Sequence, residues 1–184
     1  MGPEAADHLG HRLTAQALPK LRYQTDVKGD ILLIGNTLAE RMQYFGHFET
    51  LLHSRFPELK LVVRDLGWSA DELVLRPRSQ SFKDHGHTLD DHKADVILAF
   101  FGFNESFGGE RGLPKFEQDL EKFITDTLAA KYNGTSAPRL VLFSPIAHEN
   151  INRRGYPDGA ANNKNIARYA ESMQKIAEIG RAHV

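Results

Sequence analysis

The chain contains no cysteine. That excludes a disulfide framework, a thiolate nucleophile and a cysteine-ligated zinc, and it fits a reducing or an oxidising compartment equally well. It also lacks any apolar run near the roughly 20 residues that a transmembrane helix needs. A soluble protein is expected. The start, Met1 to His8, has neither the basic beginning nor the apolar middle of a secretory signal, so this chain carries no signal peptide, although an exported form with its signal removed would look the same. Compartment is left open. Strong charge of either sign is missing too, because 23 basic and 24 acidic residues give a net charge of -1. Nothing electrostatic calls for nucleic acid or an anionic membrane as partner.

What is present suits one domain of 184 residues, with 41% hydrophobic and 26% charged residues. Residues 1–29 are polar, with Leu9, Leu13 and Leu18 loosely at helical spacing before Pro19, and read as a lead-in segment to a domain spanning 30–184. That domain opens on its most informative stretch. Ile31-Leu32-Leu33-Ile34 is a continuous apolar run, as a strand buried on both faces requires, and Gly35-Asn36-Thr37 then turns the chain into a helix with Thr37 expected at its N-cap. A hydroxyl at a helix start lies beside unpaired backbone N–H groups, a place where a developing oxyanion is stabilised.

Further along, Leu38, Met42, Phe45, Leu52 and Phe56 mark the buried face of one helix ending before Pro57. Leu61 to Arg64 is the second strand, delivering the loop Asp65-Leu66-Gly67-Trp68-Ser69-Ala70-Asp71. Residues 73–93 are polar and irregular, and read as a loop able to cover a substrate. The third strand, 94–101, ends in Gly102-Phe103-Asn104-Glu105-Ser106. Pro114 is expected in the first turn of a helix carrying Phe116, Leu120, Phe123, Ile124 and Leu128 inward and stopping at Asn133-Gly134. Arg139 to Phe143 is the fourth strand, and Ile166, Tyr169, Met173 and Ile176 line a last helix. Alternation of apolar strands with helices predicts an α/β fold, a three-layer α/β/α sandwich around a parallel sheet. Its ligands should gather at the carboxyl ends of the strands, where Thr37, the 67–71 loop, Asn104 and His148 converge.

Taken in order, these loops resemble the blocks of the SGNH (GDSL) hydrolases, flavodoxin-like esterases and acetylesterases. Gly35-Asn36-Thr37-Leu38 stands where the family has Gly-Asp-Ser, Asp65 through Ser69-Ala70-Asp71 is similar to its second block, and Gly102-Phe103-Asn104-Glu105 is similar to its Gly-x-Asn-Asp. The wording is most similar to SGNH-type domains inside large bacterial multidomain proteins. The resemblance implies Thr37 as nucleophile, with the Thr37 and Ala70 N–H groups and the Asn104 amide forming an oxyanion hole. Each such donor lowers the barrier by about 3 to 4 kcal/mol. Asn36, Gly67, Trp68 and Glu105 are the implied substrate-binding neighbours, and a small ester is the implied substrate, an acetyl group on a carbohydrate by the family's habit.

Departures from the pattern matter equally. Threonine replaces serine, asparagine replaces aspartate, and Ala70 stands at a glycine position. The family's closing Asp-x-x-His block, after a fifth strand, has no counterpart before Val184, so the expectation is a sheet lacking that strand, with an exposed edge prone to self-association. His148 is the internal histidine nominated as a substitute base. A domain that keeps the pocket but only binds carbohydrate or a neighbouring domain is the competing reading. Plainer roles also stand beside the sharp ones: Thr37 as a mere cap, Asn104 as a tie between loops, His148 as a loop brace, and Trp68 as a cap over the sheet edge. No metal or other cofactor is expected. His85, His87 and His92 with Asp84, Asp90 and Asp91 read as a solvated loop, and the Gly35 turn lacks both G-x-G-x-x-G and a Walker lysine.

Overall fold

Strand β1 (Asp30–Gly35) is one of the sheet's two inner members, and its continuous apolar run is matched by burial of every residue after Asp30. The computed structural model describes residues 29–77 and 88–180. On one side β1 pairs with β2 (Val62–Asp65) and on the other with β3 (Val96–Phe100), which in turn pairs with β4 (Arg139–Phe143). All pairings are parallel, with Ile31 opposite Val96, Gly35 opposite Phe100, and Phe100 opposite Phe143. The order β2-β1-β3-β4 reverses direction at β1. That places a topological switch point between the carboxyl ends of β1 and β3.

Side chains alternate between the two faces and feed two cores. On one face Ile31, Leu33, Leu98 and Phe100 pack against Ala39 of α1 (Thr37–Met42) and Leu52 of α2 (His47–Arg55). On the other, Leu32, Ile97, Leu140 and Leu142 meet Phe116, Leu120 and Ile124 of α3 (Gly109–Ala129) and Tyr169, Met173 and Ala177 of α4 (Ala160–Gly180). Helices on both faces of a parallel sheet make the three-layer α/β/α sandwich expected from the alternating pattern.

Two helices differ from the sequence reading. The single helix expected over 38–56 is broken, because Gly46 takes φ +60°, a left-handed conformation that ends one helix and starts another. Phe45 consequently faces solvent, 67% exposed, instead of joining the core. The helix expected to begin near Pro114 starts earlier, at Gly109, after a 3₁₀ turn over Glu105–Gly108, and it ends at Ala129 rather than Asn133. Its glycine-rich first turns read as loop, yet glycine serves packing here. A Cβ on Gly112 would lie 2.7 Å from the Tyr169 hydroxyl, which donates to the Gly109 carbonyl at 2.9 Å. The lead-in helix around Leu9 to Leu18 and most of the central polar loop, with His85 and His87, lie outside the described residues.

Candidate active site

The site is built at the switch point, beginning with Gly35. At φ +127° it adopts a conformation that other residues avoid, and a Cβ there would sit 2.2 Å from the Phe100 carbonyl oxygen. The close approach lets the Asn36 N–H donate to that carbonyl at 3.0 Å, tying the end of β1 to the end of β3. Asn36 is extended, and its side-chain oxygen accepts from the Leu38 N–H at 3.0 Å. Asn36 is therefore the N-cap, and Thr37, expected as the cap, is the first helical residue. An amide in the capping role leaves the Thr37 hydroxyl free of it. At this position Thr37 also has no intrahelical acceptor for its own N–H.

The loop after β2 folds onto this turn. Trp68 N–H donates to the Gly35 carbonyl at 2.9 Å, Asp65 accepts from the Gly67 N–H at 2.8 Å, and Ser69 donates to the Glu40 carboxylate. Gly67 lies so near α1 that a Cβ would meet Ala39 and the Glu40 nitrogen at 2.6 Å. Ala70 has φ +69°. The loop thus keeps the left-handed backbone suited to glycine while carrying alanine.

After β3, the Asn104 side-chain amide donates to the Asp71 carbonyl at 3.2 Å, joining the second loop to the third. An NH₂ group has two donors, so one remains for a ligand. Glu105 accepts from the Leu73 N–H at 3.0 Å and from the Gly102 N–H at 2.8 Å, one bond to each carboxylate oxygen. Burial raises its pKa above the ordinary value of 4.5, against the lowering effect of those backbone bonds; nearby Glu72 adds to the rise. Both oxygens face inward to the loops they hold.

A cavity of about 340 Å³ opens between the turn after β1 and the ends of β3 and β4. It is lined by Asn36, Thr37 and Asn104 from the predicted set, with Phe103, Phe143 and Ile146 among its apolar walls. Gly67, Trp68, Ala70, Glu105 and His148 are not part of its lining. His148 has its backbone clamped by Asn163, accepting and donating at 3.0 and 2.7 Å, while its ring packs against Phe103 and Phe107. Its Nδ1 is buried with no hydrogen-bond partner among the described residues. No described histidine, aspartate or glutamate lines the cavity. The sequence reading missed Arg41, which also lines it; the signal was its place one helical turn after Thr37, where i and i+4 side chains share a face.

A second, larger cavity of about 470 Å³ lies near Ile34, Arg76, Lys122 and Tyr132. It holds none of the predicted site residues. Among the described residues no group of three or more histidines or acidic residues is placed to hold a metal, and no helix is long and apolar enough to cross a membrane.

A parallel sheet in this order, with polar loops converging on an apolar cavity at its switch point, defines a flavodoxin-like three-layer α/β/α architecture. More narrowly, the chain has the SGNH hydrolase fold. Solved structures that share it include the aryl esterase of M. smegmatis, with TM-score 0.64, 16% identity, 84% of this chain and 82% of that one covered. A Parabacteroides merdae protein described as a GDSL-like lipase gives TM-score 0.62, 16% identity, 84% and 75%. Est24, a carbohydrate acetylesterase from Sinorhizobium meliloti, gives 0.61, 13% identity, 84% and 82%. No protein-family model matches the sequence, and neither does any curated protein.

Proposed function

We propose that the chain is an SGNH-type ester hydrolase domain, with Thr37 as nucleophile. In this reading the Thr37 hydroxyl oxygen bonds to the acyl carbon, the ester C–O bond breaks, and the alcohol leaves with a proton. Water then releases the acid. The Thr37 N–H and the free Asn104 amide proton are the oxyanion donors, the Ala70 N–H expected beside them lying outside the cavity lining, and Glu105 braces the two loops that follow β2 and β3. The observation that carries the proposal is the shared cavity, which Thr37 and Asn104 both line at the switch point. Hydrolysis of 4-nitrophenyl acetate tests it. Turnover should be lost in Thr37→Ala and fall about a hundredfold in Asn104→Ala, the usual cost of removing one oxyanion donor. Undiminished turnover in Thr37→Ala would overturn the nucleophile assignment.

One observation favours a second reading, binding without turnover. The cavity lacks a described histidine, and His148 faces Phe103 and Phe107, its Nδ1 without a hydrogen-bond partner among the described residues. A nucleophilic hydroxyl ordinarily needs such a base. Saturable binding of an ester with no product formed would decide for this reading. An acetylated carbohydrate is the substrate suggested by Est24, although the cavity offers a sugar few hydrogen-bonding partners. Self-association through β4, which pairs only with β3 among the described residues, belongs to the same proposal. A monomer at high concentration in analytical ultracentrifugation would argue against it.

A further inference from the structure

The cavity's chemistry is one-sided. Its walls are Phe100, Phe101, Phe103, Phe143, Pro145 and Ile146, and its hydrogen-bonding groups are few. Asn36 has already committed its side-chain oxygen to the Leu38 N–H, and Asn104 has committed one donor to Asp71. Against this background stands one ionisable lining residue, Arg41. Its guanidinium lies 5.9 Å from the centre of the Tyr44 ring, and among the described residues no ion-pair partner neutralises it. Arg41 follows Thr37 by four residues on α1, which puts their Cβ atoms about 5–6 Å apart on one helix face. A volume of about 340 Å³ is at the small end of the range of ligand pockets, about 300–1,000 Å³.

We propose that the cavity selects an anionic aryl ester: an aromatic ring among the phenylalanines, the ester carbonyl at Thr37, and a carboxylate on the ring held by Arg41. This deepens the reading of the cavity as an ester site and departs from the acetylated carbohydrate. A sugar's hydroxyl groups would be desolvated against phenylalanine rings with too few partners, whereas a flat ring gains from burial and edge contacts there. A cation beside a ligand carboxylate also forms a charge-assisted bond that a neutral ring substituent cannot replace.

The test uses binding alone, so it does not depend on turnover. The probe is 4-(2-oxopropyl)benzoate, an analogue of 4-acetoxybenzoate in which a methylene replaces the ester oxygen, compared with its neutral carboxamide by calorimetric titration of the whole chain. The wild type should bind the carboxylate about tenfold more tightly than the carboxamide, with the difference shrinking as salt is raised. In Arg41→Gln the two should bind alike, and Arg41→Lys should restore part of the preference. Ile146→Gln, at an exposed residue of the cavity wall, should weaken both probes together. Equal binding of the two probes by the wild type, or a preference that survives Arg41→Gln, overturns the assignment of Arg41. If neither Arg41→Gln nor Ile146→Gln changes binding of either probe, the cavity is not the ligand site and the ester reading fails with it. Absence of hydrolysis alongside the predicted binding pattern would remove only the catalytic role of Thr37.

Discussion

Replacing Gly35 by alanine tests the element on which the site rests. The residue stands at φ +127°, and a non-glycine residue forced into so sparse a region costs about 1–3 kcal/mol. The added Cβ would also sit 2.2 Å from the Phe100 oxygen and 2.7 Å from its carbonyl carbon. These are backbone atoms, so the neighbour has no flexible end to swing away. Moving the Phe100 carbonyl breaks its bond from the Asn36 N–H, worth about 0.5–1.5 kcal/mol, and disturbs the Phe100–Phe143 stack at 4.2 Å. Together these contributions put the loss near 3 kcal/mol, a large fraction of the about 5–15 kcal/mol that holds a typical domain. In urea unfolding, with a slope of about 1–3 kcal/mol per molar, the midpoint should fall by about 1–3 M at unchanged slope. A midpoint shift corresponding to less than about 1 kcal/mol would refute the close approach of β1 to the Phe100 carbonyl.

Other outcomes follow from the same loops. Ala70→Gly should leave stability unchanged or raise it by up to about 1 kcal/mol, since relief of a left-handed alanine outweighs the extra freedom of glycine in the unfolded chain. A clear fall in melting temperature would contradict the left-handed backbone at 70. Glu105 gives a pH dependence. Its raised pKa means the folded state holds the proton more tightly than the unfolded chain, so this contribution to stability is complete below the ordinary value of 4.5 and is lost as pH rises through the folded value. Glu105→Gln should remove that downward component from the stability–pH profile. Parallel profiles for variant and wild type would count against it.

The sheet was legible because parallel strands covered on both faces must be apolar throughout: Ile31 to Ile34 and Val96 to Phe100 are continuous runs, and both are buried. The fourth strand was read at its observed bounds, Arg139–Phe143. Helix ends were less legible where glycine had two meanings. Gly46 breaks a helix whose apolar spacing continues across it, while Gly112 sits inside one and makes room for Tyr169. At the site, Asn36 and Thr37 are adjacent and both can cap a helix. Only the observed backbone assigns the cap to Asn36 and frees the threonine hydroxyl. The placement of His148 was similarly invisible, because its backbone is held by Asn163, fifteen residues away on α4, and its ring packs on Phe103 and Phe107. Arg41 carried a spacing signal, but that signal acquires meaning only once the cavity is known.

The most direct test of the central claim, that an ester lodges in the cavity beside Thr37, is a titration of the isotope-labelled chain with phenylacetone, an uncleavable analogue of phenyl acetate, followed by amide NMR. The account predicts saturable shifts concentrated at the backbone amides of Thr37 and Leu38, the Asn104 side-chain amide, and Ile146. Shifts centred instead on Lys122, Tyr132 and the larger cavity, with Thr37 and Asn104 unmoved, would contradict it.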